Sequence, residues 1–265
     1  MQETNVPVKV SKARRRWEIL EYMRNAPGRS QIATLSHRFG VSEMTIRRNL
    51  HALAHQGLIA VAGKEVYLAP STTITEETYQ LKLADNRSEK LAIAKAAVIH
   101  LQENMTVFLD GGTTVGALAP ILVSMKRITV VSNALNIVNV LCSSPGIRLI
   151  CIGGTLRPAS QTFLGAKAEA LMKQLRVDLA FLGTESFSVS TGLEVPDEGD
   201  ASFKEVVIRS SRKRVLMATS NKLNQTRLYN FADWESIDHL ITDGALPNDV
   251  DEELSRWGVT ICRAT

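Results

Sequence analysis

The sequence predicts an α/β protein in two parts, an N-terminal winged helix-turn-helix followed by a larger, doubly wound, mainly parallel α/β domain. The first observation behind this is composition, since 265 residues with 45% hydrophobic and 22% charged side chains are typical of two globular domains. The second is charge, because residues 1–68 hold 11 Lys and Arg against 5 Asp and Glu, whereas the remainder holds 20 against 22. The third is the alternation of β-branched runs with helical patterns in the longer part. We expect the parts to cover residues 11–68 and 89–265, joined by a polar linker at 69–88.

Cysteine usage and hydropathy favour a cytoplasmic protein. Cys142, Cys151 and Cys262 are odd in number and widely spaced, so neither a disulfide framework nor a zinc ribbon is predicted. The N-terminus has no apolar signal core, and no stretch is apolar enough to span a membrane. We predict no metal site, no cofactor and no membrane association.

Two helices are predicted at the start of the basic part. Apolar side chains recur about once per turn over residues 11–26, and Pro27-Gly28 is expected to end that helix. A second, short helix is predicted from about Ser30 to Phe39. Gly40 is placed to end it in the left-handed conformation.

A third helix is predicted from strong signals at its N-terminus. Ser42 can cap the helix, and Glu43 favours the positive end of the helix dipole. The helix then runs through the sequence TIRRNLHALAHQ. Its buried stripe is expected to comprise Ile46, Leu50 and Leu53.

A β-hairpin is predicted after the third helix. Gly57-Leu58-Ile59 ends the helix and begins a strand, Ala62-Gly63 supplies a turn, and residues 65–68 return as a second strand. This hairpin is expected to form the wing, with Lys64 at its tip.

The outer surface of the third helix carries residue types that contact DNA. In a helix-turn-helix, the second helix of the pair lies in the major groove, where Arg pairs with guanine or a phosphate and hydroxyl groups donate to phosphates or base edges. The alternative is that the paired arginines form only a solvated face. We predict that double-stranded operator DNA is contacted by Ser42, Thr45, Arg47, Arg48, His51 and Lys64.

The sequence LSHRFGVSEMTIRRNLHALAHQGLI, residues 35–59, closely resembles the signature of the DeoR family of winged-helix transcription regulators. Two departures stand out. Asn49 occupies a position where the family usually has Asp, and AVAGKEVYL at 60–68 replaces the usual Arg-x-His-Gly-Gly-Ala ending. These departures concern the wing contacts more than the recognition helix.

The longer part contains β-branched runs separated by segments long enough for crossover helices. Such alternation predicts a mainly parallel sheet with helices on both faces, whose ligands bind in loops beyond the carboxyl ends of the strands. The runs are Thr106–Leu109, Ile128–Val131, Arg148–Ile152, Asp178–Leu182, Arg214–Ala218 and His239–Thr242, with Val259–Cys262 as a further candidate.

The loop most informative about ligands leaves the first of these strands. It enters a predicted helix that contains Val115, Leu118 and Leu122. Glycines let the backbone approach an anion, and hydroxyl groups add donors, so a phosphate fits here. The alternative is a loop that only turns the chain and caps the helix, and the Gly-x4-Gly-Lys spacing of a nucleotide-binding loop is absent. The loop consists of Asp110, Gly111, Gly112, Thr113 and Thr114.

Other small polar groups follow neighbouring strands and are expected at the same edge, namely Ser132, Asn133, Gly153, Gly154 and Thr184. This part resembles the sugar-phosphate-sensing domain of the DeoR family, since DGGTT is similar to its Asp-x-Gly-Thr-Thr loop and SNA, IGG, FLG and Thr242-Asp243 follow in order. The resemblance implies that Lys204 and Lys222 supply positive charge to the effector. Thr219 departs from the pattern, because the family commonly carries Asp there.

The resemblance implies a repressor of carbohydrate-metabolism genes, in which a phosphorylated sugar shifts the DNA-binding heads of a homo-oligomer. The sensing domain is also similar in fold to ribose-5-phosphate isomerase and to amino-sugar-phosphate deaminases, so a sugar-phosphate isomerase or deaminase is the alternative function. Such an enzyme needs a carboxylate general base, for which Glu185 is the candidate. A third class, a DNA-bending protein, predicts no response to small molecules. We predict no catalytic residue.

Overall fold

The computed structural model describes residues 12–25, 29–55, 59–68, 79–244 and 246–264. The chain divides into two compact units between Asp85 and Asn86. Within the described ranges, no helix has both the length and the apolar character needed to cross a membrane.

The N-terminal unit has a three-stranded antiparallel sheet beside a group of helices. The helices are α1 (Lys12–Asn25), α2 (Ile32–Phe39), α3 (Glu43–His55) and α4 (Tyr79–Ala84), and the strands are β1 (Arg29–Gln31), β2 (Ile59–Ala62) and β3 (Glu65–Leu68), in the order β1-β3-β2. One buried cluster joins α1, α2, α3 and the hairpin. It comprises Ile19, Leu20, Met23, Ile32, Leu35, Ile46, Leu50, Leu53, Ile59 and Val66. The predicted winged helix-turn-helix is therefore confirmed, including the buried stripe of the third helix.

Three details of this unit differ from the sequence prediction or lie beyond it. Ser30 belongs to strand β1, which pairs with β3, so α2 begins at Ile32 rather than at Ser30. Backbone pairing to β3 outweighs the weak helix preference of these polar residues. Helix α4 lies in the predicted linker and packs on α1. The predicted signals at residues 26–28 and 56–58 lie outside the described residues.

The larger unit contains the remaining elements. The strands are β4 (Thr106–Leu109), β5 (Ile128–Ser132), β6 (Ile147–Cys151), β7 (Thr155–Arg157), β8 (Thr162–Leu164), β9 (Val177–Leu182), β10 (Ser186–Ser188), β11 (Gly192–Val195), β12 (Ser211–Met217), β13 (Tyr229–Ala232), β14 (His239–Asp243) and β15 (Thr260–Ala264). The helices are α5 (Arg87–Ala97), α6 (Thr113–Gly116), α7 (Ala119–Leu122), α8 (Leu135–Leu141), α9 (Ala166–Lys173), α10 (Glu198–Arg209) and α11 (Asn248–Arg256).

Seven strands form one sheet in the order β15-β14-β12-β9-β4-β5-β6, and every neighbouring pair is parallel. All seven correspond to the predicted runs, with ends that agree within three residues. From β4 the chain proceeds outward through β5 to β6, whereas from β9 it proceeds the other way to β15. The direction of winding therefore reverses between β4 and β9, which makes this pair the topological switch point of the sheet.

Both faces of the sheet are covered, as the doubly wound prediction requires. Side chains of β4 alternate between them, since Val107 and Leu109 belong to one buried cluster and Phe108 belongs to the other. The first cluster is completed by α5, α6, α7 and α8. The second is completed by α9, α10, α11 and a small antiparallel sheet of β10, β11 and β13.

Several local features of this unit differ from the prediction. The segment after the DGGTT loop forms two short helices, α6 and α7, rather than one, and Pro120 lies in the first turn of α7, where its missing N–H group costs least. Helix α5 begins two residues earlier than Glu89, directly after Asn86 in the left-handed conformation. The β7–β8 hairpin and the small sheet were not predicted, because their strands of three or four residues carry too little periodic signal.

Candidate DNA-binding and effector sites

The N-terminus of α3 is organised by Ser42. Its Oγ atom accepts a hydrogen bond from the backbone N–H of Thr45 at 3.3 Å and lies 3.1 Å from the Thr45 hydroxyl. The Ser42 carbonyl accepts the first helical bond from Ile46 at 3.0 Å. Ser42 therefore acts as an N-cap, and the two hydroxyl groups form one exposed polar pair at the start of the helix.

The outward face of α3 carries the two predicted arginines. Arg47, Arg48 and His51 are exposed. Because a helix turns 100° per residue, Arg48 and His51 lie near the centre of this face and Arg47 lies at its flank. Met44, whose relative exposure is 68%, shares the centre with them. Met44 was not among the residues predicted to contact DNA, because only polar and basic side chains were selected on this face.

Asn49 faces the opposite way and is buried. Its Nδ2 atom donates to the Thr45 carbonyl at 2.7 Å, one turn earlier. An aspartate cannot make this bond while ionised, because it has no donor. The departure from the family pattern at this position therefore has a local structural role in α3.

Lys64 lies at the tip of the β2–β3 hairpin, where its side chain is exposed. Gly63 precedes it with φ +63°, a conformation that favours glycine in tight hairpins. The Lys64 carbonyl accepts a hydrogen bond from the N–H of Ile32 at 3.0 Å, which ties the hairpin to the start of α2. The tip is thus anchored to the helix-turn-helix.

At the switch point of the larger unit, Asp110 joins the ends of β4 and β9. Its Oδ2 atom accepts from the N–H of Gly183 at 2.8 Å, and its Oδ1 atom accepts from the N–H of Gly111 at 2.8 Å. The side chain is only 2% exposed. In open α/β sheets the crevice outside such a switch point is where ligands bind.

Lys204 of α10 is the buried counterion of Asp110. Its Nζ atom donates to the Asp110 carboxylate and, at 3.1 Å, to the Gly183 carbonyl, and it lies 3.8 Å from Asp200. Burial acts to lower the pKa of Lys204, but the negative charges of Asp110 and Asp200 outweigh it and the pKa is raised. Lys204 is therefore charged, and it holds Asp110 and the Gly183 carbonyl in place at the ends of β4 and β9.

The β7–β8 hairpin lies against the DGGTT loop. A Cβ atom on Gly111 would overlap the methyl group of Thr162, and Ala134 would also lie within contact distance. The hairpin is fixed there by backbone bonds, since Phe163 N–H donates to Asn133 at 2.8 Å. Glycine at 111 is required by this close approach.

Ser132, the last residue of β5, and Asn133 after it are fully buried at the same edge. Ser132 Oγ donates to the Leu109 carbonyl at 2.8 Å and accepts from the Ala134 N–H at 3.1 Å. Asn133 Nδ2 donates to the Phe163 carbonyl at 3.1 Å, whereas its Oδ1 atom has no hydrogen-bond partner. The Thr114 hydroxyl is likewise buried without a partner. Buried polar atoms without a protein partner commonly form hydrogen bonds with a ligand or with water.

The other predicted effector residues have separate surroundings. Lys222 Nζ donates to the carbonyl of Thr184, the residue that follows the β9 loop glycine. Gly112 has φ +92° directly before α6, and Thr113 is the first residue of that helix and is buried. Gly153 is exposed, and Gly154 lies against the Leu164 carbonyl. Of the predicted residues, Asp110, Gly111 and Lys204 are joined by hydrogen bonds, while Ser132 and Asn133 bond to the neighbouring Leu109 and Phe163.

A 710 Å³ groove lies at the other end of the strands, at the start of β5 and β6. Its lining includes Lys126, Arg127 and Arg148. Ligands of open parallel sheets bind at the carboxyl ends of the strands, whereas this groove lies at their amino ends.

A winged helix-turn-helix with an exposed basic helix, followed by an α/β unit with a polar switch-point edge, defines a DNA-binding regulator with a sensor domain. Residues 15–62 match the DeoR-like helix-turn-helix domain, and residues 85–244 match the DeoR C terminal sensor domain. The chain belongs to the DeoR family of transcription regulators, which confirms the identification made from its sequence.

Curated relatives span nearly the whole chain. This chain is 37% identical to the HTH-type transcriptional regulator GlpR of Haloferax volcanii, over 94% of this chain and 96% of that protein. It is 32% identical to the putative aga operon transcriptional repressor of Escherichia coli O157:H7, over 93% and 92%. The glycerol-3-phosphate regulon repressor of Escherichia coli K12 is 29% identical, over 83% and 87%.

Among solved structures, ribose 5-phosphate isomerase A of Methanocaldococcus jannaschii is similar with a TM-score of 0.40 and 19% identity. The similarity covers 52% of this chain and 55% of that chain.

Proposed function

We propose that this DNA-binding regulator is a repressor of carbohydrate-metabolism genes, and that a phosphorylated sugar or sugar alcohol releases it from its operator. The observation that carries the DNA-binding half is the exposed face of α3, where Arg48 and His51 stand outside a buried stripe. Relatives named as repressors of the aga operon and of the glycerol-3-phosphate regulon support repression and this effector class.

The DNA contacts follow from the surfaces of α3 and the wing. Ser42 and Thr45 contact phosphates or base edges at the start of α3, Arg47 and Arg48 contact guanine or phosphate, and Lys64 contacts the backbone from the wing. Met44 lies where an apolar side chain can meet a thymine methyl group. Since one α3 covers one half-site, we further propose a homo-oligomer that binds a two-fold symmetric operator.

The effector binds at the carboxyl ends of β4, β5 and β9. The unpartnered oxygen atoms of Asn133 and Thr114 support this placement, together with the close backbone approach at Gly111. Lys204 and Asp110 hold the edge in shape, and Lys222 adds positive charge.

The sensor unit binds its ligand without converting it. Asp110 accepts hydrogen bonds from Lys204 and two N–H groups, which engage three of its roughly four lone pairs, so it is poorly placed to accept a substrate proton. Glu185 is the candidate base of the alternative isomerase. It is half-buried, and its negative charge contributes to the raised pKa of Lys204. The regulator works in the cytoplasm, as the three free cysteines favour.

The DNA contacts are tested by Arg48→Ala in the full chain. A duplex is first selected from a random-sequence library with the wild-type protein, and binding is measured by fluorescence anisotropy. The loss of one bidentate base contact is expected to weaken binding by roughly 5- to 150-fold. Arg176→Ala, which removes an exposed cation of the sensor unit, is the control and should leave binding unchanged. Unchanged binding in Arg48→Ala would remove that residue from the interface.

Effector binding is tested by thermal unfolding of the full chain with glycerol 3-phosphate, glucose 6-phosphate, fructose 1-phosphate and ribose 5-phosphate. At least one is expected to raise the melting temperature, while its unphosphorylated counterpart does not. Isomerisation of any of them, abolished in Glu185→Gln, would favour the enzyme instead.

A further inference from the structure

Arg157, the last residue of β7, lies in the hairpin that packs on the DGGTT loop. Its Nη1 atom donates to the Ser160 hydroxyl at 3.4 Å, and that hydroxyl lies 2.7 Å from the hydroxyl of Thr162. The methyl group of Thr162 packs on Gly111. Two hydroxyl-bearing side chains therefore link the guanidinium to the DGGTT loop.

The guanidinium is paired with Asp197, the N-cap residue of α10. Arg157 Nε lies 3.1 Å from Asp197 Oδ2, and the other carboxylate oxygen accepts from the Asp200 N–H at 2.9 Å. The Arg157 and Asp197 side chains remain 25% and 31% exposed. An anion from solvent can reach this pair, and Asp197 retains its capping bond if the guanidinium turns to another partner.

Lys204 and Lys222, the two lysines predicted to contact the effector, are less suited than Arg157 to exchange a protein partner for a phosphate. Lys204 is 4% exposed and bonded to Asp110 and Gly183, so its charge is already balanced inside the unit. Lys222 donates to the carbonyl of Thr184, and its ammonium group is a compact charge that lacks the planar fork of a guanidinium. Arg157 offers a planar fork that matches two phosphate oxygens, next to the hydroxyl donors Ser160 and Thr162.

We propose that Arg157 binds the phosphate of the effector, and that the phosphate replaces Asp197 as its partner. This inference rests on the proposed sensor function and assigns the phosphate to a residue outside the DGGTT loop. Since Asp197 caps the helix that carries Lys204, the exchange also connects ligand binding to the Lys204–Asp110 pair at the switch point.

The test uses the full chain and isothermal titration with whichever of the four sugar phosphates most raises the melting temperature of the wild type. Loss of a charge-assisted, bidentate contact in Arg157→Ala is expected to weaken binding by roughly 10- to 150-fold. Arg157→Lys keeps the charge without the fork and should fall between. Asp197→Asn breaks the same ion pair but leaves the guanidinium, so binding should be unchanged or tighter. Arg209→Ala removes an exposed cation from the far end of α10 and is the control.

The outcomes distinguish a failure of the proposed sensor function from a failure of the role proposed for Arg157. If no sugar phosphate stabilises the wild type, the sensor function itself fails. If the wild type binds and Arg157→Ala binds within twofold of it, the function stands and the role of Arg157 is overturned. Equal weakening by Arg157→Ala and Asp197→Asn would also overturn it, because the pair would then matter only for the fold.

Discussion

At the scale of single residues, Lys204 and Asp110 form an ion pair in which both charges are buried. Both residues were assigned to the effector site from the sequence. Their mutual bond could not be predicted, since 94 positions separate them and only the adjacency of β4 and β9 brings α10 over the loop. Residue types and spacing selected Asp110 and the family resemblance selected Lys204, while the bond between them depended on topology.

Replacement of Lys204 by Met is expected to destabilise the larger unit by about 3–5 kcal/mol, because Asp110 would remain buried without its counterion. Urea unfolding measures the effect. Lys173→Met is the control, since Lys173 is 60% exposed and its ion pair with Glu169 should contribute less than about 1 kcal/mol. Equal effects of the two substitutions would show that the buried pair is not important for stability.

His100 and His239 provide a pH-dependent contribution. Their ring centroids lie 4.8 Å apart, and burial lowers the pKa of both side chains. The charge of His239 lowers the pKa of His100 further, Lys213 lowers both, and Asp238 opposes this at His239. Because the folded values lie below the ordinary value of about 6.5, the unfolded chain takes up protons first. Their contribution to stability is present above about pH 6.5 and is lost as the pH falls through the folded values.

We therefore expect the free energy of unfolding to fall between about pH 7 and pH 5, and to fall less steeply in His239→Gln. Urea unfolding at several pH values measures both slopes. His37→Gln, at an exposed position of α2, should keep the wild-type slope. A wild-type slope in His239→Gln would contradict the assignment.

At the scale of elements, the DGGTT loop and the β7–β8 hairpin show what sequence patterns can and cannot reveal. The loop was found because glycines and hydroxyl groups follow a buried strand. The hairpin was not, since Thr162 and Arg157 lie in strands of three residues without a hydrophobic pattern. Likewise α3 was predicted from its cap and buried stripe, whereas the three-residue β1 was read as part of α2.

Gly111→Ala is expected to destabilise the larger unit by about 1–3 kcal/mol, because the new methyl group must displace the hairpin at Thr162. Thr162→Ser removes the opposing methyl group and keeps the hydroxyl, so the double variant should recover much of the loss. Thermal unfolding measures both. Gly153→Ala has no atom within 4 Å of the added carbon and serves as the control. Failure of Thr162→Ser to restore stability would contradict the packing described.

At the scale of the whole molecule, seven strands and their approximate ends followed from the sequence, but their order in the sheet did not. The order matters most, because it places the loops after β4 and β9 side by side at the switch point. Runs of β-branched residues predict that strands exist, and pairing between distant segments decides which strands are neighbours. The basic charge of the first 68 residues predicted a DNA-binding unit, and the helical period of its third helix predicted which side chains face outward.

The most direct test of the central claim measures binding of the full chain to its selected duplex with and without the stabilising sugar phosphate. The account predicts that the selected duplex binds at least about 10³-fold more tightly than a scrambled duplex, and that the sugar phosphate weakens this binding by roughly 5- to 150-fold. Equal affinity for the two duplexes, or an operator affinity that does not fall when the sugar phosphate is bound, would contradict it.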